Sequence, residues 1–367
     1  MATPSSLVDF NDTTPVSDDD LYRQGSQYRI WSFSQSDLSE LRKSVNEIAA
    51  ENLQYENSTS GLAPDLVPSA SAYLTSDEEY DLLLHYSVKL QEASAVYKLP
   101  SHIKATAISY MKRFYLKYSL MEYHPHNIMY TCLFLATKSE NHFISIDNFI
   151  APLQHVSTKA ILDLEFVVSQ ALSFTLLVHH AFAPIHGYFL DLQTLFPTRL
   201  DEIGSAHDKA RKFANDSLFS DAQFLYTPPQ IALAALALSN SDLMDKYLLK
   251  KFEDHPLLLH QLTQTITKIK PFILAGSQRI STDRASSLEL KLFICRNPAK
   301  AAAAVAKKRK VSTSDNTSPP VQIPINTSSL SSQLRSTSPL ESPTKRARTA
   351  GSAAIASPSR DVVMSES

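Results

Sequence analysis

The chain contains the sequence YHPHNIMYTCLFLATK at 123–138 and a related sequence, YTPPQIALAALALSNS, at 226–241. In both, a tyrosine stands two residues before a proline, an isoleucine follows three residues after it, and two leucines recur at matching positions. Proline fits the first turn of a helix, and the apolar residues that follow would lie on nearly every side of that helix. Such a helix must be surrounded by others, so each sequence predicts the central helix of a helical bundle.

The helical patterns around the two central helices also repeat, which argues against a chance similarity between two apolar helices that begin with proline. In the first unit, predicted helices begin near Ser76, Pro100, Pro125, Ile146 and Thr158. In the second unit, predicted helices cover 181–196, 205–219, 230–239, 241–252 and 256–274. The sequence therefore predicts an all-α fold with two tandem five-helix bundles, at 76–178 and 179–274.

Two further helices are predicted outside the repeat. The first covers 37–54 within an N-terminal segment at 21–56, and the second covers 282–295 within a C-terminal segment at 275–296. The apolar face of the first helix comprises Leu38, Leu41, Val45 and Ile48. A helix with such a face must pack on another part of the chain.

Several polar residues of the first bundle are assigned from helix chemistry. Ser76 and Glu79 have the spacing of a capping box, and Pro100 suits a first-turn position. On the helix that follows Pro100, Lys104, Lys112 and Lys117 are expected to lie in solvent, because the apolar residues supply its buried face.

The remaining segments have the composition of linkers and tails. Residues 57–75 collect Ser, Pro, Gly and Asn without a helical period, and they are predicted to form an exposed linker. Residues 1–20 and 297–367 are predicted to be disordered, the latter because Ser, Pro, Ala and basic residues dominate it. The 297–367 tail carries a net charge of +6, which leaves −8 for residues 1–296.

The composition argues against several kinds of site. The six glycines are too scattered for a phosphate-binding loop, and Cys132 and Cys295 are too far apart to suggest a disulfide framework or a zinc ribbon. The histidines at 124–126 and 179–180 have neither ligand nor triad spacing and are interpreted as structural. We therefore expect no catalytic residue, no metal and no cofactor. No apolar run reaches the roughly 18 residues of a membrane span, which favours a soluble intracellular protein.

Four sequences resemble the cyclin H family of cyclins, in particular its fungal members. MKRFYL at 111–116 and the central helix at 123–138 are similar to the first cyclin box of the family. LYTPPQIAL at 225–233 is similar to the second box, and QYRIWSF at 27–33 to the N-terminal segment. The resemblance implies that the two predicted bundles are tandem cyclin boxes.

The resemblance also implies a function and partners. Such a protein would be a non-catalytic subunit that binds and activates a cyclin-dependent kinase, within the CDK-activating kinase and the kinase module of TFIIH. It would act in phosphorylation of the RNA polymerase II C-terminal domain, in transcription initiation and in cell-cycle control. Its partners would be the kinase catalytic subunit, a third assembly subunit and the TFIIH core, but neither nucleic acid nor a membrane. The residues that would contact the kinase are Lys138, Ser139, Glu165, Phe174 and Leu176.

Each of these site residues also has a purely structural interpretation. A lysine is favoured at the end of any helix, a glutamate can lie in solvent, and Phe174 and Leu176 can belong to the core. Ser241 stands 103 residues after Lys138, so the bundle architecture itself does not require a lysine there. This difference between the repeats favours a function in the first bundle.

Two alternative functions remain open. A cyclin-fold general transcription factor of the TFIIB type would bind promoter DNA, but its body should then be basic, whereas residues 1–296 are acidic. Another transcriptional cyclin, of the C, K or T type, would pair with a different kinase.

The tail contains two kinds of signal. The basic cluster Lys307, Lys308, Arg309 and Lys310 predicts nuclear import and hence a nuclear protein, although such a cluster can also bind phosphates nonspecifically. Serines that precede proline are candidate phosphorylation sites, because phosphate would lower the local positive charge. These serines are Ser318, Ser338, Ser342 and Ser357.

Overall fold

The computed structural model describes residues 18–59, 72–153 and 156–301, and every regular element in these ranges is a helix. The N-terminal helices are α1 (Asp18–Gln24), α2 (Ser26–Trp31) and α3 (Gln35–Thr59). The first bundle comprises α4 (Ser76–Val96), α5 (Ser101–Phe114), α6 (Pro125–Ser139), α7 (Ile146–Ile150) and α8 (Thr158–Ala171). The second bundle comprises α9 (Phe182–Leu195), α10 (Leu200–Ser217), α11 (Ala222–Leu225), α12 (Pro228–Ser239), α13 (Ser241–Lys251) and α14 (Pro256–Ser277). Helix α15 (Thr282–Arg296) follows, and the predicted all-α fold with tandem bundles and additional terminal helices is confirmed.

Each bundle is built around a helix that the repeat predicted. Helix α6 begins with Pro125 and α12 with Pro228, and both are buried along most of their length. Helix α6 packs against α4, α5 and α8, whereas α12 packs against α9, α10, α13 and α14. Each bundle has its own apolar core, and the core of the first also includes Leu288 and Leu292 of α15.

The start of the first bundle differs from the prediction. Thr75, not Ser76, caps α4, because its hydroxyl accepts a hydrogen bond from the Glu78 N–H (3.3 Å). The Glu78 carboxylate in turn accepts one from the Thr75 N–H (3.0 Å), which completes the capping box. Glu79, predicted as the partner of Ser76, is buried instead. Pro100 precedes α5 as its N-cap and is not in its first turn.

Helix α3 is longer than predicted, and of its predicted apolar face it buries Leu38 but leaves Ile48 exposed. It continues to Thr59, so Asn57 belongs to the helix and not to an exposed linker. Asn57 is buried, and its amide donates to the carbonyl oxygen of Cys295 at the end of α15 (3.2 Å). Ile48, predicted on the apolar face, is 55% exposed, because Asn46 and Ala49 face the interior instead.

Several predictions concern residues outside the described ranges. These are the predicted disorder of the N-terminus up to residue 17, most of the linker, at 60–71, and the tail from 302 onward. The basic cluster at 307–310 and the four Ser-Pro sites belong to this tail and stay predictions.

Lys112 is buried between the two bundles, so the expectation that it lies in solvent is wrong. Its side chain has no exposed surface, and its ammonium group lies 3.8 Å from the Asp221 carboxylate. The same group donates to the carbonyl oxygens of Leu218, at 3.3 Å, and of Ser220. Asp221 also accepts two hydrogen bonds from the Arg42 guanidinium of α3, at 2.6 and 2.7 Å. This cluster joins α3, α5 and the residues before α11, and so fixes the N-terminal helix and the second bundle against the first.

The buried amine gives the stability a dependence on pH. Burial, assisted by the Arg42 cation and opposed by the Asp221 carboxylate, lowers the pKa of Lys112 to about 8. An unfolded lysine keeps its proton up to about pH 10.4. Between these two pH values the unfolded chain therefore binds more protons than the folded chain, and raising the pH favours folding.

We predict a measurable difference between the natural chain and a Lys112→Met variant. As the pH rises from about 8 to about 10, the free energy of unfolding of the natural chain should increase relative to the variant by on the order of 2–3 kcal/mol. Denaturant titrations of both proteins across this interval measure the difference, and other titrating groups cancel in the subtraction. A constant difference would contradict the burial of a charged Lys112.

Gly276 marks a close approach between α14 and α10. A Cβ atom at this position would overlap with the carbonyl oxygen of Asp216, whereas one at Gly187 or Gly204 would have no neighbour within 4 Å. We expect Gly276→Ala to lower the free energy of unfolding by about 1–3 kcal/mol, because the two helices must separate. Gly187→Ala and Gly204→Ala, also within helices, should be neutral or stabilising. Urea denaturation checks this, and equal stability of the three variants would contradict it.

Candidate functional site

Lys138 and Glu165, two of the predicted kinase contacts, lie side by side on the surface of the first bundle. Lys138 is in the last turn of α6 and Glu165 is in α8, and Nζ lies 2.6 Å from Oε1. Their side chains are 39% and 22% exposed. The ammonium group also lies 4.4 Å from the centre of the Phe134 ring, a distance suited to a cation–π contact. The pair is therefore ordered and still accessible to a partner.

The end of α6 explains why Lys138 stands at this place. The helix stops at Ser139, and Asn141 turns the chain with a φ of 56°, a left-handed conformation that asparagine tolerates. The His142 N–H then donates to the Thr137 carbonyl oxygen (2.8 Å), which closes the helix. A cation at this C-terminus is favoured by about 0.3–1 kcal/mol.

Phe174 projects from a strained turn directly after α8. Ser173 and Phe174 have φ values of 53° and 55°, in the left-handed region that bulky residues rarely adopt. The Phe174 N–H donates to the Ser169 carbonyl oxygen (2.9 Å) at the end of the helix. Each such conformation costs about 1–3 kcal/mol, yet the Phe174 side chain is 63% exposed. A core position does not explain this residue, because strain and exposure together are typical of a functional one.

Exposed apolar side chains continue this surface along α8. Leu162 and Phe166 are 43% and 65% exposed, and they lie one helical turn apart with Glu165 beside them. The centroids of the Phe166 and Phe174 rings are 6.1 Å apart. We refer to the following set as the docking face: Lys138, Leu162, Glu165, Phe166 and Phe174.

Sequence reasoning did not single out Leu162 and Phe166, although a signal was present. Helix α8 has more apolar residues than one buried face requires. Ile161 and Val168 fill the inward face, with 1% and 0% exposure. The apolar residues of the other face have no place in the core, which is typical of a surface that another protein covers.

Ser139 and Leu176 lie behind the docking face. The Ser139 Oγ atom is 2.9 Å from the Tyr110 hydroxyl group, which also bonds to the carbonyl oxygen of Leu176. The Leu176 side chain packs on the first core. Burial raises the pKa of Tyr110 to about 12, so its hydroxyl group stays protonated. Both residues thus support the turn that carries Phe174, and a direct kinase contact by either of them stays a prediction.

The histidine pairs have structural surroundings. His124 Nδ1 accepts a hydrogen bond from the His126 N–H (3.2 Å) at the start of α6, and His180 Nε2 lies 2.8 Å from the Thr106 hydroxyl group. Burial lowers the pKa of both His124 and His180 to about 3.

Over residues 18–59, 72–153 and 156–301, no three His, Cys, Asp or Glu side chains are grouped so that they could hold a metal ion. Within the same ranges, no helix has the length and apolar character to cross a membrane.

Comparison with known proteins places these features in a family. Residues 67–177 match the family described as cyclin, N-terminal domain, and residues 180–273 match the cyclin C-terminal domain. Cyclin mcs2 of Schizosaccharomyces pombe is 35% identical over 289 residues, which are 76% of this chain and 86% of that protein. Cyclin CCL1 of Saccharomyces cerevisiae is 39% identical over 246 residues, which are 65% of this chain and 62% of that protein.

Two solved structures contain similar chains. One is the CAK complex of Chaetomium thermophilum bound to ATP-gamma-S, with 28% identity and a TM-score of 0.71, over 85% of this chain and 100% of the matched one. The other is the yeast TFIIK (Kin28/Ccl1/Tfb3) complex, with 34% identity and a TM-score of 0.57, over 69% and 100%. The two bundles are therefore cyclin boxes. The chain belongs to the cyclin family, among its cyclin H-like members, and the resemblance found in the sequence is confirmed.

We predict that the Lys138–Glu165 ion pair contributes little to the stability of the free chain. Because both side chains are partly exposed, Lys138→Ala and Glu165→Ala should each change the free energy of unfolding by less than about 1 kcal/mol. Arg42→Ala is the comparison, and it should cost about 3 kcal/mol or more, because it leaves the buried Asp221 with fewer partners. Urea denaturation compares the three variants. A loss of several kcal/mol in Lys138→Ala would assign this pair to the scaffold.

Proposed function

We propose that this chain is the regulatory subunit that binds and activates a cyclin-dependent kinase and is itself non-catalytic. The proposed setting is the CDK-activating kinase and the kinase module of TFIIH. There it would serve phosphorylation of the RNA polymerase II C-terminal domain, transcription initiation and cell-cycle control. Membership of the cyclin family and the similarity to chains of the CAK and TFIIK complexes support this proposal.

Further partners and the location follow from the same proposal. The TFIIK complex contains three proteins, which supports a third assembly subunit beside the kinase. Contact with the TFIIH core would follow from membership of the kinase module. A nuclear location would follow from the role in transcription, and the predicted import signal at 307–310 agrees with it.

The observation that carries the proposal is the composition of the docking face. It combines exposed apolar groups with a charged pair, and Phe174 holds its position at a cost in backbone strain. Aromatic anchors surrounded by polar groups are typical of the energetically important centre of a protein interface. In this proposal the kinase would cover Phe166 and Phe174, while its own polar groups would pair with Lys138 and Glu165.

Activation would then proceed by a shift between two conformations of the kinase. An active kinase has its regulatory helix turned inward, so that a glutamate of this helix meets the lysine of a neighbouring strand. If the docking face fits only that conformation, the binding energy selects it. Raising the active fraction from about 1% to about 99% requires roughly 5.5 kcal/mol of differential affinity, which a few well-packed anchors can supply. No residue of this chain needs to touch the phosphoryl group.

A TFIIB-like role in promoter binding is less well supported. Affinity for DNA depends on neutralising phosphates with basic side chains. Residues 1–296 carry a net charge of −8, which disfavours binding of this part of the chain to a DNA backbone. Another transcriptional cyclin would share the docking face but pair with another kinase.

The proposal predicts that the docking face determines kinase affinity. We define the cognate kinase as the cyclin-dependent kinase of the source organism that is most similar to the kinase of the Chaetomium thermophilum CAK complex. Phe166→Ala, Phe174→Ala and Lys138→Ala should each weaken binding of the full chain to this kinase more than about tenfold. Calorimetry measures the affinity, and phosphorylation of a C-terminal-domain peptide measures activation.

Tyr55→Ala is the matched control, because Tyr55 is an aromatic residue of α3 that is 71% exposed. It should leave both affinity and activation unchanged. Unchanged binding by all three docking-face variants would refute the proposal, and so would recovery of promoter DNA without any kinase when the chain is purified from its source.

A further inference from the structure

Gln27 of α2 holds the backbone segment that leads from the first cyclin box to the second by two hydrogen bonds. Its side chain is buried, and Nε2 donates to the carbonyl oxygen of His179 at 3.1 Å. Its Oε1 atom accepts a hydrogen bond from the N–H of the same residue at 2.6 Å. One amide side chain therefore satisfies both backbone groups of His179, which lies in the segment that leads from α8 to α9, at 173–179.

Trp31, one helical turn after Gln27, holds the same segment nearer to Phe174. It is 2% exposed, and its Nε1 atom donates to the Thr175 hydroxyl group at 2.9 Å.

Arg113 and Lys117 of the first box lie 5.1 and 5.5 Å from the centre of the indole ring. Arg113 donates to the Thr175 carbonyl oxygen (3.4 Å), and Lys117 to the Ser173 hydroxyl group (2.6 Å). Trp31 therefore contacts the segment directly and also packs against two cations that bind it.

These contacts stabilise a segment whose backbone is strained. Two consecutive residues, Ser173 and Phe174, adopt left-handed conformations, and such conformations persist only where surrounding contacts impose them. Within the segment, α2 supplies contacts on the C-terminal side of Phe174, at Thr175 and His179. If these bonds were absent, the segment could relax toward ordinary backbone angles, and the Phe174 ring would leave its place beside Phe166.

We infer that Gln27 and Trp31 are positioning residues of the docking face: they hold Phe174 in the orientation that the kinase recognises. The inference rests on the proposed function. Neither side chain can meet the kinase, because both are buried within this chain. Docking of α2 thus sets the kinase affinity of a surface formed by other residues, and release of α2 lowers it.

The test is a double-mutant cycle on the full chain, with affinity for the cognate kinase as the readout. Gln27→Leu keeps the size of the side chain but removes both hydrogen bonds, and it should weaken binding about tenfold. In a Phe174→Ala background the same substitution should change the affinity less than about twofold, because the ring that Gln27 positions is gone. A general loss of stability would instead weaken binding equally in both backgrounds.

Gln24→Leu is the matched control, because it makes the same change at an exposed glutamine three residues earlier, at the end of α1, and it should leave the affinity unchanged. Trp31→Phe keeps an aromatic ring but removes the donor to Thr175, and it replaces Gln27→Leu if that variant does not fold.

If Phe174→Ala weakens binding while Gln27→Leu does not, or if the two effects are additive, the inference is wrong and the proposed function stands. If Phe174→Ala itself has no effect, the proposed role of Phe174 fails and the inference with it.

Discussion

The structure depends on the burial of two helices that are apolar on nearly every side. Helices α6 and α12 cannot face water, so each must be surrounded by its neighbours, and the repeated bundle is the result. The same packing creates the docking face. Lys138 lies in the last turn of the central helix, and Glu165 lies on α8, which packs directly against that helix. Two charges that are 27 residues apart in the sequence therefore reach the same surface.

Polar contacts around the first cyclin box fix what apolar packing alone leaves adjustable. The cluster of Arg42, Lys112 and Asp221 joins α3 and the second box to α5, and the bonds of Gln27 and Trp31 join α2 to the turn after α8. If one element slid over another, buried charges or donors would lose their partners. The free-energy cost of that loss opposes the movement. A surface held in this way loses less freedom on binding, so more of the contact energy becomes affinity. The proposed activation of a kinase requires such a surface, because a face that adapted to every kinase conformation could not select one.

The sequence was sufficient to predict the repeat and the central helices, because these follow from local periodicity. The family resemblance singled out Lys138 and Glu165, whose side chains the structure brings together. The sequence was not sufficient to predict the burial of Lys112, because this residue lies outside the apolar face predicted for α5. Its burial is caused by residues 218–221, about a hundred positions later in the chain. The prediction that Ile48 is buried was wrong for a similar reason, because the neighbouring elements determine which face of a helix is buried. The strain at Phe174 was also beyond prediction, because left-handed angles in a residue other than glycine depend on tertiary contacts.

The most direct test of the account is a cryo-EM structure of the full chain with its cognate kinase. The account predicts that the kinase covers Phe166 and Phe174, that Lys138 and Glu165 each bond to a kinase group, and that the kinase is in its active conformation. It also predicts that Gln27 and Trp31 keep their bonds to His179 and Thr175 without touching the kinase. A kinase seated on the second cyclin box, with the docking face exposed to solvent, would contradict the account.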